Sequence, residues 1–303
     1  MAALAPSGEQ FEIALGDQRA VVVEVGGGLR TYSAADRDVL DGYGVAVICP
    51  FGRGQVLSPW PNRVQDGRYE FDGQRHQLPL DEPARANAIH GLVRWSPWTA
   101  AEHEAHRIVM QHTLHPRPGY PFALALRIEY SLSPNGLEVR NTATNVGEAP
   151  APYGTGAHPY LLTGTELVDS AALHCPARTV LHADERAIPT ADVQVAGTEY
   201  DFTRRRQIGA MTLDHCFTDL ERDADGRAQV ELRGPDGAVT VWMDEAYPYV
   251  MLFTGDTLPD GARRSIAVEP MTCPPNALRT GRDLIRLEPG EWASSTWGIT
   301  PPA

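Results

Sequence analysis

A glutamate in an apolar setting is the residue in this sequence best suited to moving a proton. Glu269 follows the apolar run at residues 266–268 and precedes a proline, so we expect it where a buried strand ends. Burial raises the pKa of a carboxyl group toward the range that a general base needs at neutral pH. The alternative, on the residues alone, is a structural salt bridge with Arg263 or Arg264.

Two histidines occupy turn-rich segments where an imidazole could also transfer protons. His90 directly precedes Gly91, and His158 directly precedes Pro159. Histidine is the commonest acid–base residue because its ordinary pKa lies near neutral pH. A lone histidine is more often structural, so each of these two indicates a site only in combination with other residues.

Polar side chains that suit hydrogen bonding to hydroxyl or carboxylate oxygens lie in two other segments. The proline-braced loop at residues 58–63 ends in the amide of Asn62 and the guanidinium of Arg63. The structural alternative for this loop is a rigid turn with Arg63 in an ion pair. Farther along the chain, Asp214 could accept hydrogen bonds from sugar hydroxyls or cap a turn.

Aromatic residues accompany these motifs. Trp95 follows His90 by five positions, and Tyr160 follows His158 by two. Aromatic rings commonly pack against the apolar faces of bound ligands. Each of the two is therefore a candidate for ligand binding, with a place in the hydrophobic core as the alternative.

Short strands would have to position these residues, and the sequence predicts many of them. Alternating runs separated by Asp-Gly or Asn-Gly turns predict hairpins at residues 68–78, 123–143 and 228–243. Apolar runs predict buried strands at residues 21–25, 45–49, 249–253 and 266–268. Only residues 276–285 indicate a short helix, so the fold class is predicted to be all-β.

No linker or break in composition divides the chain, and residues 1–303 are predicted to form a single domain. The 28 glycines and 25 prolines are typical of many short strands joined by turns. No repeat of the length found in propellers or solenoids is present. The predicted fold is a large antiparallel β-sandwich, with a jelly roll as the alternative.

Composition and charge exclude several classes of function. The net charge of −13 argues against nucleic acid or an anionic membrane surface as the partner. The chain has no lysine, which excludes lysine Schiff-base chemistry and the lysine-containing phosphate loop. Without a long apolar run or a basic leader, a cytoplasmic protein that does not enter the membrane is expected. The four cysteines are scattered, and neither a disulfide framework nor a metal site is predicted.

Taken in chain order, these segments resemble the aldose 1-epimerase (galactose mutarotase) family. The matching pieces run through most of the chain: Pro61-Asn62-Arg63, residues 67–73, His90-Gly91, His158-Pro159-Tyr160, Asp214 and Glu269-Pro270. The resemblance implies a β-sandwich of the galactose mutarotase type, with Glu269 as general base and His158 as general acid. It also implies that His90, Arg63 and Asp214 hold the sugar, with help from Asn62. Residues 90–98, 156–160 and 269–275 are most similar to a bacterial branch that includes sulfosugar mutarotases.

The implied reaction interconverts the α and β anomers of a free sugar and needs no cofactor. One group removes the proton of the C1 hydroxyl, and another delivers a proton to the ring oxygen; the opened sugar rotates about C1–C2 and closes on its other face. Because the acid must be protonated at the working pH, we expect a neighbouring carboxylate to raise the pKa of His158. The sequence does not name the sugar, although Arg94 could meet an anionic group at C6.

Two other functions stay open on the sequence. The same cleft could bind a sugar without turning it over, or His90, His158 and Glu269 could be the ligands of a metal-dependent β-barrel enzyme. A complete proton-transfer pair favours the enzyme over the binding protein, because a binding protein does not need one. The expected partner is a small-molecule sugar, and the expected assembly is a monomer or a homodimer.

Overall fold

Strands and turns make up nearly all of the regular structure in the computed structural model, which describes residues 4–302. The strands, in chain order, are β1 (Gln10–Leu15), β2 (Gln18–Val23), β3 (Leu29–Ala34), β4 (Arg37–Asp38), β5 (Val56–Leu57), β6 (Arg63–Gln65), β7 (Arg68–Phe71), β8 (Gln74–Gln77), β9 (Asn87–Ile89), β10 (Thr99–Glu104), β11 (Arg107–Leu114), β12 (Leu124–Ser133), β13 (Gly136–Asn145), β14 (Ala151–Tyr153), β15 (Gly156–Ala157), β16 (Tyr160–Leu161), β17 (Ala172–His174), β18 (Ala177–Ala183), β19 (Pro189–Gln194), β20 (Arg206–Gln207), β21 (Asp214–Leu220), β22 (Ala228–Gly234), β23 (Gly237–Met243), β24 (Tyr249–Phe253), β25 (Ile266–Met271), β26 (Ile285–Leu287) and β27 (Trp292–Thr300). Within the described residues, helical structure is limited to α1 (Ala277–Thr280) and two 3-10 turns, Pro83–Arg85 and Val168–Ser170.

Two large antiparallel sheets form the sandwich. One has nine strands in the order β10-β11-β12-β13-β27-β23-β22-β17-β20. The other has eight, in the order β19-β18-β21-β24-β25-β15-β5 with β16 also paired to β25. Neighbouring strands along both sheets run antiparallel, as the sequence predicted for the fold class.

The hydrophobic core lies between the inner faces of these sheets. Strand β12 alternates buried and half-buried residues along its whole length, which is the pattern of a strand with one covered face. The same core cluster contains Ile128 and Val139 from the nine-stranded sheet and Leu252 and Val268 from the eight-stranded sheet. The alternate side chains of strands β21, β24 and β25 therefore point away from this core, to the outer face of the eight-stranded sheet.

Four smaller sheets accompany the two large ones within residues 4–302. Strands β1–β4 form a four-stranded sheet, and β6-β9, β7-β8 and β14-β26 form two-stranded ones. The β6-β9 pair carries Arg63 at its start and leads into His90 at its end. It thereby brings two of the sequence-predicted residues to the outer face of the eight-stranded sheet.

Most of the predicted strands are confirmed. The three predicted hairpins correspond to β7-β8, β12-β13 and β22-β23, and their turns lie at the predicted Gly positions. The predicted strands at residues 21–25, 249–253 and 266–268 overlap β2, β24 and β25. The predicted helix at residues 276–285 is confirmed only as the single turn α1, which ends at Thr280 and is capped by Gly281.

The predicted strand at residues 45–49 is wrong. These residues form a turn and an extended loop, in which the Val47 N–H donates to the Gly44 carbonyl. The apolar side chains of Val45, Val47 and Ile48 are largely exposed. An apolar run forms a strand only where a neighbouring strand offers free backbone groups, and this loop has none beside it in the described chain.

The described part of the chain contains no helix with the length and apolar character that a membrane crossing requires.

Candidate active site

A cavity of about 370 Å³ opens on the outer face of the eight-stranded sheet. Strands β21, β24 and β25 form its floor, because Asp214, Met251 and Glu269 point to the same side of the sheet. The β6-β9 pair and the loop after β4 form its walls. All eight sequence-predicted site residues line it: Asn62, Arg63, His90, Trp95, His158, Tyr160, Asp214 and Glu269.

Glu269 and His158 meet at the bottom of this cavity as cross-strand neighbours. Gly156 pairs with Met271, and Tyr160 pairs with Ala267. Continuing the same antiparallel register places His158 opposite Glu269, and residues in this relation have neighbouring side chains. The His158 Nε2 and Glu269 Oε1 atoms are 3.4 Å apart.

Two prolines mark the place where the backbone ladder is interrupted to make room for this pair. Pro159 and Pro270 have no N–H to donate, and the Val268 N–H donates across to the Pro159 carbonyl at 3.1 Å. The expectation that the strand ends at Glu269 is wrong, because β25 continues to Met271. Strand β24 on the other side supplies the pairing that keeps β25 extended through Pro270.

Burial dominates the electrostatics of Glu269. The residue is 2% exposed, and burial raises its pKa well above the usual carboxyl range, helped by the negative charge of Asp214 and opposed by Arg63. Its Oε2 atom has no hydrogen-bond partner within residues 4–302. Such an orphaned, buried oxygen is costly unless a ligand supplies the missing donor.

The alternative of a salt bridge between Glu269 and a nearby arginine is wrong. Arg263 instead pairs with Asp169 at 2.8 Å and with Asp256 at 2.6 Å. Arg264 pairs with Asp41. Glu269 therefore keeps its carboxyl group free for the cavity and for His158.

The expectation that a carboxylate raises the pKa of His158 is also wrong. Burial lowers this pKa to about 3, and the charges of Arg53, Arg94 and Arg63 push in the same direction. The raised pKa of Glu269 and the lowered pKa of His158 both favour the neutral form of the pair, with a protonated carboxyl group and a neutral imidazole. The ionic form, with a carboxylate and an imidazolium, contains the same number of protons.

His90 has a defined tautomer because its backbone and side chain clamp the neighbouring loop. The Asn62 N–H donates to the His90 Nδ1 at 3.3 Å, and the His90 N–H donates to the Asn62 carbonyl at 2.8 Å. A ring nitrogen that accepts carries no hydrogen, so the Nε2 carries it. Burial lowers the pKa of His90 well below its usual value. His90 is therefore a neutral hydrogen-bond donor at the cavity wall.

Glycine is required after His90 for a steric reason. A Cβ at Gly91 would lie 2.1 Å from the Ser58 carbonyl oxygen, and the φ of Gly91 is +74°. Any larger residue would push the His90 loop away from the loop that carries Asn62. The His-Gly pair seen in the sequence thus reflects close backbone packing at the cavity wall.

Arg63 forms an ion pair, as the structural alternative for its loop predicted, and it also lines the cavity. Its Nε and Nη2 donate to both carboxylate oxygens of Glu82 at 2.9–3.1 Å. Burial would raise the pKa of Glu82, but the hydrogen bonds and charge of Arg63 outweigh this and lower it. The bidentate pair fixes the guanidinium plane, which is the geometry of a preorganised donor.

The remaining predicted residues occupy the rim and the floor. Asp214, half-buried, begins β21 and lines the floor. Trp95 is 50% exposed at the rim, where it can meet a ligand face. Tyr160 is 2% exposed, and its ring packs on the His158 ring and on the Arg53 guanidinium.

Several residues of the cavity were missed by the sequence reasoning. Asp81 and Glu82 hold Arg94 and Arg63, and Met251 and Phe253 complete the floor. The alternation of strand β24 places Met251 and Phe253 on one face, and this signal was available in the sequence. The acidic pair Asp81-Glu82 carried no recognisable pattern, because its partners lie in other loops.

The fold and the cavity define the class of the protein. The structure has the galactose mutarotase-like fold: it superposes on the GalM/aldose epimerase homologue of C. elegans with a TM-score of 0.85, at 18% identity over 97% of this chain and 99% of the other. It also superposes on the galactose 1-epimerase of Lactobacillus acidophilus NCFM with a TM-score of 0.78, at 21% identity over 93% and 91% of the two chains.

Sequence comparison gives the family itself. Residues 10–300 match the sequence profile of the family described as aldose 1-epimerase. The uncharacterized protein YihR of Escherichia coli K12 is 36% identical over 286 residues, which are 94% of this chain and 91% of that protein. The chain belongs to the aldose 1-epimerase family.

Proposed function

We propose that this protein is an aldose 1-epimerase that interconverts the α and β anomers of a free aldopyranose by acid–base catalysis. The observation that carries the proposal is the His158–Glu269 pair at the bottom of a polar cavity, 3.4 Å apart. The C1 hydroxyl oxygen and the ring oxygen of a pyranose are bonded to the same carbon. A base and an acid that touch each other can therefore serve both oxygens at once.

The reaction needs one proton acceptor and one proton donor. Glu269 takes the proton of the C1 hydroxyl while His158 gives a proton to the ring oxygen, and the bond between C1 and the ring oxygen breaks. The aldehyde end rotates about C1–C2, and the reverse transfers close the ring on its other face. The pair starts and ends with one proton, so no co-reactant is consumed.

Substrate binding has to move the shared proton from Glu269 to His158. Burial raises the pKa of Glu269 and lowers the pKa of His158, and both shifts favour the proton on the carboxyl group. Hydrogen bonds donated by sugar hydroxyls to Oε1 and to the unpartnered Oε2 stabilise the carboxylate form. The proton then moves to the imidazole without uptake from solvent.

The other cavity residues fit the task of holding the sugar. The His90 Nε2–H and the Arg63 guanidinium are donors for ring and hydroxyl oxygens, and the Asp214 carboxylate is an acceptor. The backbone N–H of Arg63 donates to the Asn62 Oδ1 at 2.9 Å, which fixes the Asn62 side chain in the cavity wall. We infer a small-molecule sugar as the partner, with no cofactor assigned a role in the reaction.

The experiment that tests the proposal follows the rotation of freshly dissolved α-aldoses by polarimetry. The panel compares glucose, galactose, a 6-deoxyhexose and a C6-sulfonated hexose. The sulfonated sugar is included because Arg94 lines the cavity and would have to leave Asp81, its ion-pair partner at 2.6 Å, to bind an anionic group at C6. At least one sugar should equilibrate faster than the uncatalysed control in proportion to protein concentration. A sugar-binding protein without turnover leaves every rate unchanged and contradicts the proposal.

The pH dependence of kcat/KM should differ from that of an ordinary histidine acid. In the productive state of the free enzyme, the His158–Glu269 pair carries one proton. The pair gains a second proton only below the His158 pKa of about 3, and it loses the first one only above the raised pKa of Glu269. We therefore expect kcat/KM not to fall between pH 7 and pH 5, because His158 takes up no second proton in this range. A tenfold fall for each unit below about pH 6.5 would show that the pair takes up a second proton there, at the ordinary pKa of an imidazole, and would contradict this account.

Arg63→Ala should weaken binding as well as turnover. The substitution removes a preorganised donor and leaves the Glu82 carboxylate without its bidentate partner. We expect KM to rise by about tenfold to hundredfold, since a hydrogen bond to a charged group contributes about 1.5–3 kcal/mol. The comparison variant is Arg85→Ala, which removes the more distant partner of the same carboxylate, 3.6 Å away, and should raise KM less. An unchanged KM in Arg63→Ala counts against its contact with the sugar.

A further inference from the structure

His158 lacks the contact that usually orients a catalytic imidazole. In most such sites the ring nitrogen that faces away from the substrate donates to a carboxylate or a backbone carbonyl. The Nδ1 of His158 is buried and has no hydrogen-bond partner within residues 4–302. The orientation of the ring must therefore come from what packs against it.

Tyr160 supplies the stacked one of these packing contacts, and the His90 ring packs edge-on at a centroid distance of 5.4 Å. Its ring stacks on the His158 ring with a centroid distance of 4.8 Å and an interplanar angle of 13°. The Tyr160 hydroxyl donates to the Phe51 carbonyl at 3.1 Å, which fixes the far end of the phenol. A Cβ at Gly52 would lie 3.0 Å from the His158 Cδ2, so the loop after Phe51 also closes on the imidazole.

A buried arginine holds Tyr160 in turn. The Arg53 guanidinium carbon lies 4.8 Å from the centroid of the Tyr160 ring, and Arg53 is only 5% exposed. A cation over an aromatic face is stabilised most where water is excluded. Arg53 does not line the cavity, so its contact with the phenol is not explained by sugar binding.

Asp41 anchors the arginine from behind. Its buried carboxylate accepts hydrogen bonds from Arg53 Nη2 at 3.0 Å, from Ser265 Oγ at 2.7 Å and from Arg264. Burial alone would raise the pKa of Asp41, but these hydrogen bonds outweigh it and lower the pKa. The Asp41 N–H also donates to the Tyr160 carbonyl at 2.9 Å, so the same residue fixes the backbone and the ring.

We propose that Arg53 and Asp41 are positioning residues that hold the His158 imidazole in place for proton transfer, acting through the ring of Tyr160. This inference rests on the proposed function, and it deepens it by assigning a role to an ion pair outside the cavity. The pair takes the place of the hydrogen bond that the Nδ1 of His158 lacks.

Two arginines share the Asp41 carboxylate, which provides a matched pair of variants. Arg53→Met removes the cation that packs on Tyr160 while keeping a long side chain, and Arg264→Met removes the other arginine, which is half exposed. We expect Arg53→Met to lower kcat by about tenfold to hundredfold with KM changed less than about threefold, because a small misplacement of a reacting group is costly. Arg264→Met should keep kcat within about threefold of the wild-type value. Equal kcat in the two variants overturns the proposal.

A second measurement reads the imidazole directly and does not depend on turnover. In protein labelled at histidine, the His158 ring should give one sharp set of NMR signals in the wild type and in Arg264→Met, and broadened or doubled signals in Arg53→Met. An unchanged His158 ring in Arg53→Met overturns the proposal even if no sugar is turned over. If the wild type fails to catalyse anomer exchange but the ring signals change as expected, the positioning contact stands and the proposed function falls.

Tyr160 gives an independent pair in case Arg53→Met does not fold. Tyr160→Phe keeps the ring that stacks on His158 and loses only the hydrogen bond to the Phe51 carbonyl, whereas Tyr160→Leu loses the stacked ring. We expect the kcat of Tyr160→Phe to exceed that of Tyr160→Leu by about tenfold or more. Equal kcat values would show that the stack does not position His158.

Discussion

Replacing Glu269 by glutamine is expected to lower kcat by about a thousandfold, within the range that removal of an acid–base group costs. Glutamine keeps the shape of the side chain and both polar positions but cannot take a proton from the C1 hydroxyl. Binding of the sugar should persist, with KM changed by less than about tenfold, because the lost interaction is made mainly in the transition state. Polarimetry with the best sugar of the panel gives both constants.

The control for Glu269→Gln is Glu138→Gln, which changes a partly exposed carboxylate on the nine-stranded sheet. Thermal unfolding should show that Glu269→Gln is folded, because glutamine replaces a buried carboxyl group whose raised pKa already favours the neutral form. Mutarotation at a rate near that of the wild type in a folded Glu269→Gln protein would remove Glu269 from the mechanism.

His158→Asn should produce the second large loss, of about a hundredfold or more in kcat. Asparagine retains a hydrogen-bonding side chain beside Glu269 but cannot deliver a proton to the ring oxygen at neutral pH. The double variant with Glu269→Gln should be little slower than Glu269→Gln alone, because the two groups transfer protons as a unit.

The matched control for His158→Asn is His103→Asn, an exposed histidine whose Nε2 lies 2.8 Å from the Glu12 carbonyl oxygen. Its mutarotation rate should equal that of the wild type. Losses in His158→Asn and Glu269→Gln that multiply in the double variant would show that the two residues act independently, and would contradict a shared proton.

The sequence predicted the strands whose neighbours are local. Hairpins such as β7-β8 and β12-β13 form around turns whose residues favour left-handed backbone, so a short window contains the whole signal. The loop at residues 45–49 has the same apolar composition as a strand, but no strand within residues 4–302 pairs with it. That difference depends on distant parts of the chain and cannot be read from the run itself.

The types of the site residues were predictable, and their mutual geometry was not. Asn62, Arg63, His90, His158, Asp214 and Glu269 were found from motifs, and all of them line one cavity. That His158 stands opposite Glu269 follows from a register set by pairs at Gly156 and Tyr160, which no local pattern encodes. The direction of the His158 pKa shift was predicted wrongly because burial, contributed by several elements, outweighs the single carboxylate beside it.

The role inferred for Arg53 shows the same limit. In the sequence, Arg53 is one of 26 arginines, and Asp41 lies twelve positions away in a loop. Only the fold brings both behind Tyr160, where a buried ion pair can hold an aromatic ring. Positioning residues outside a cavity carry no chemical motif of their own.

The central claim, that the His158–Glu269 pair exchanges the anomers of a sugar, is tested most directly by NMR exchange spectroscopy at chemical equilibrium. With the best sugar of the panel and wild-type protein, cross-peaks between the α and β anomeric protons should appear and grow with protein concentration. The Glu269→Gln protein at the same concentration should give none above the uncatalysed level. Anomeric signals that broaden on binding without exchange cross-peaks in the wild type, or cross-peaks of equal strength in both proteins, would contradict the account.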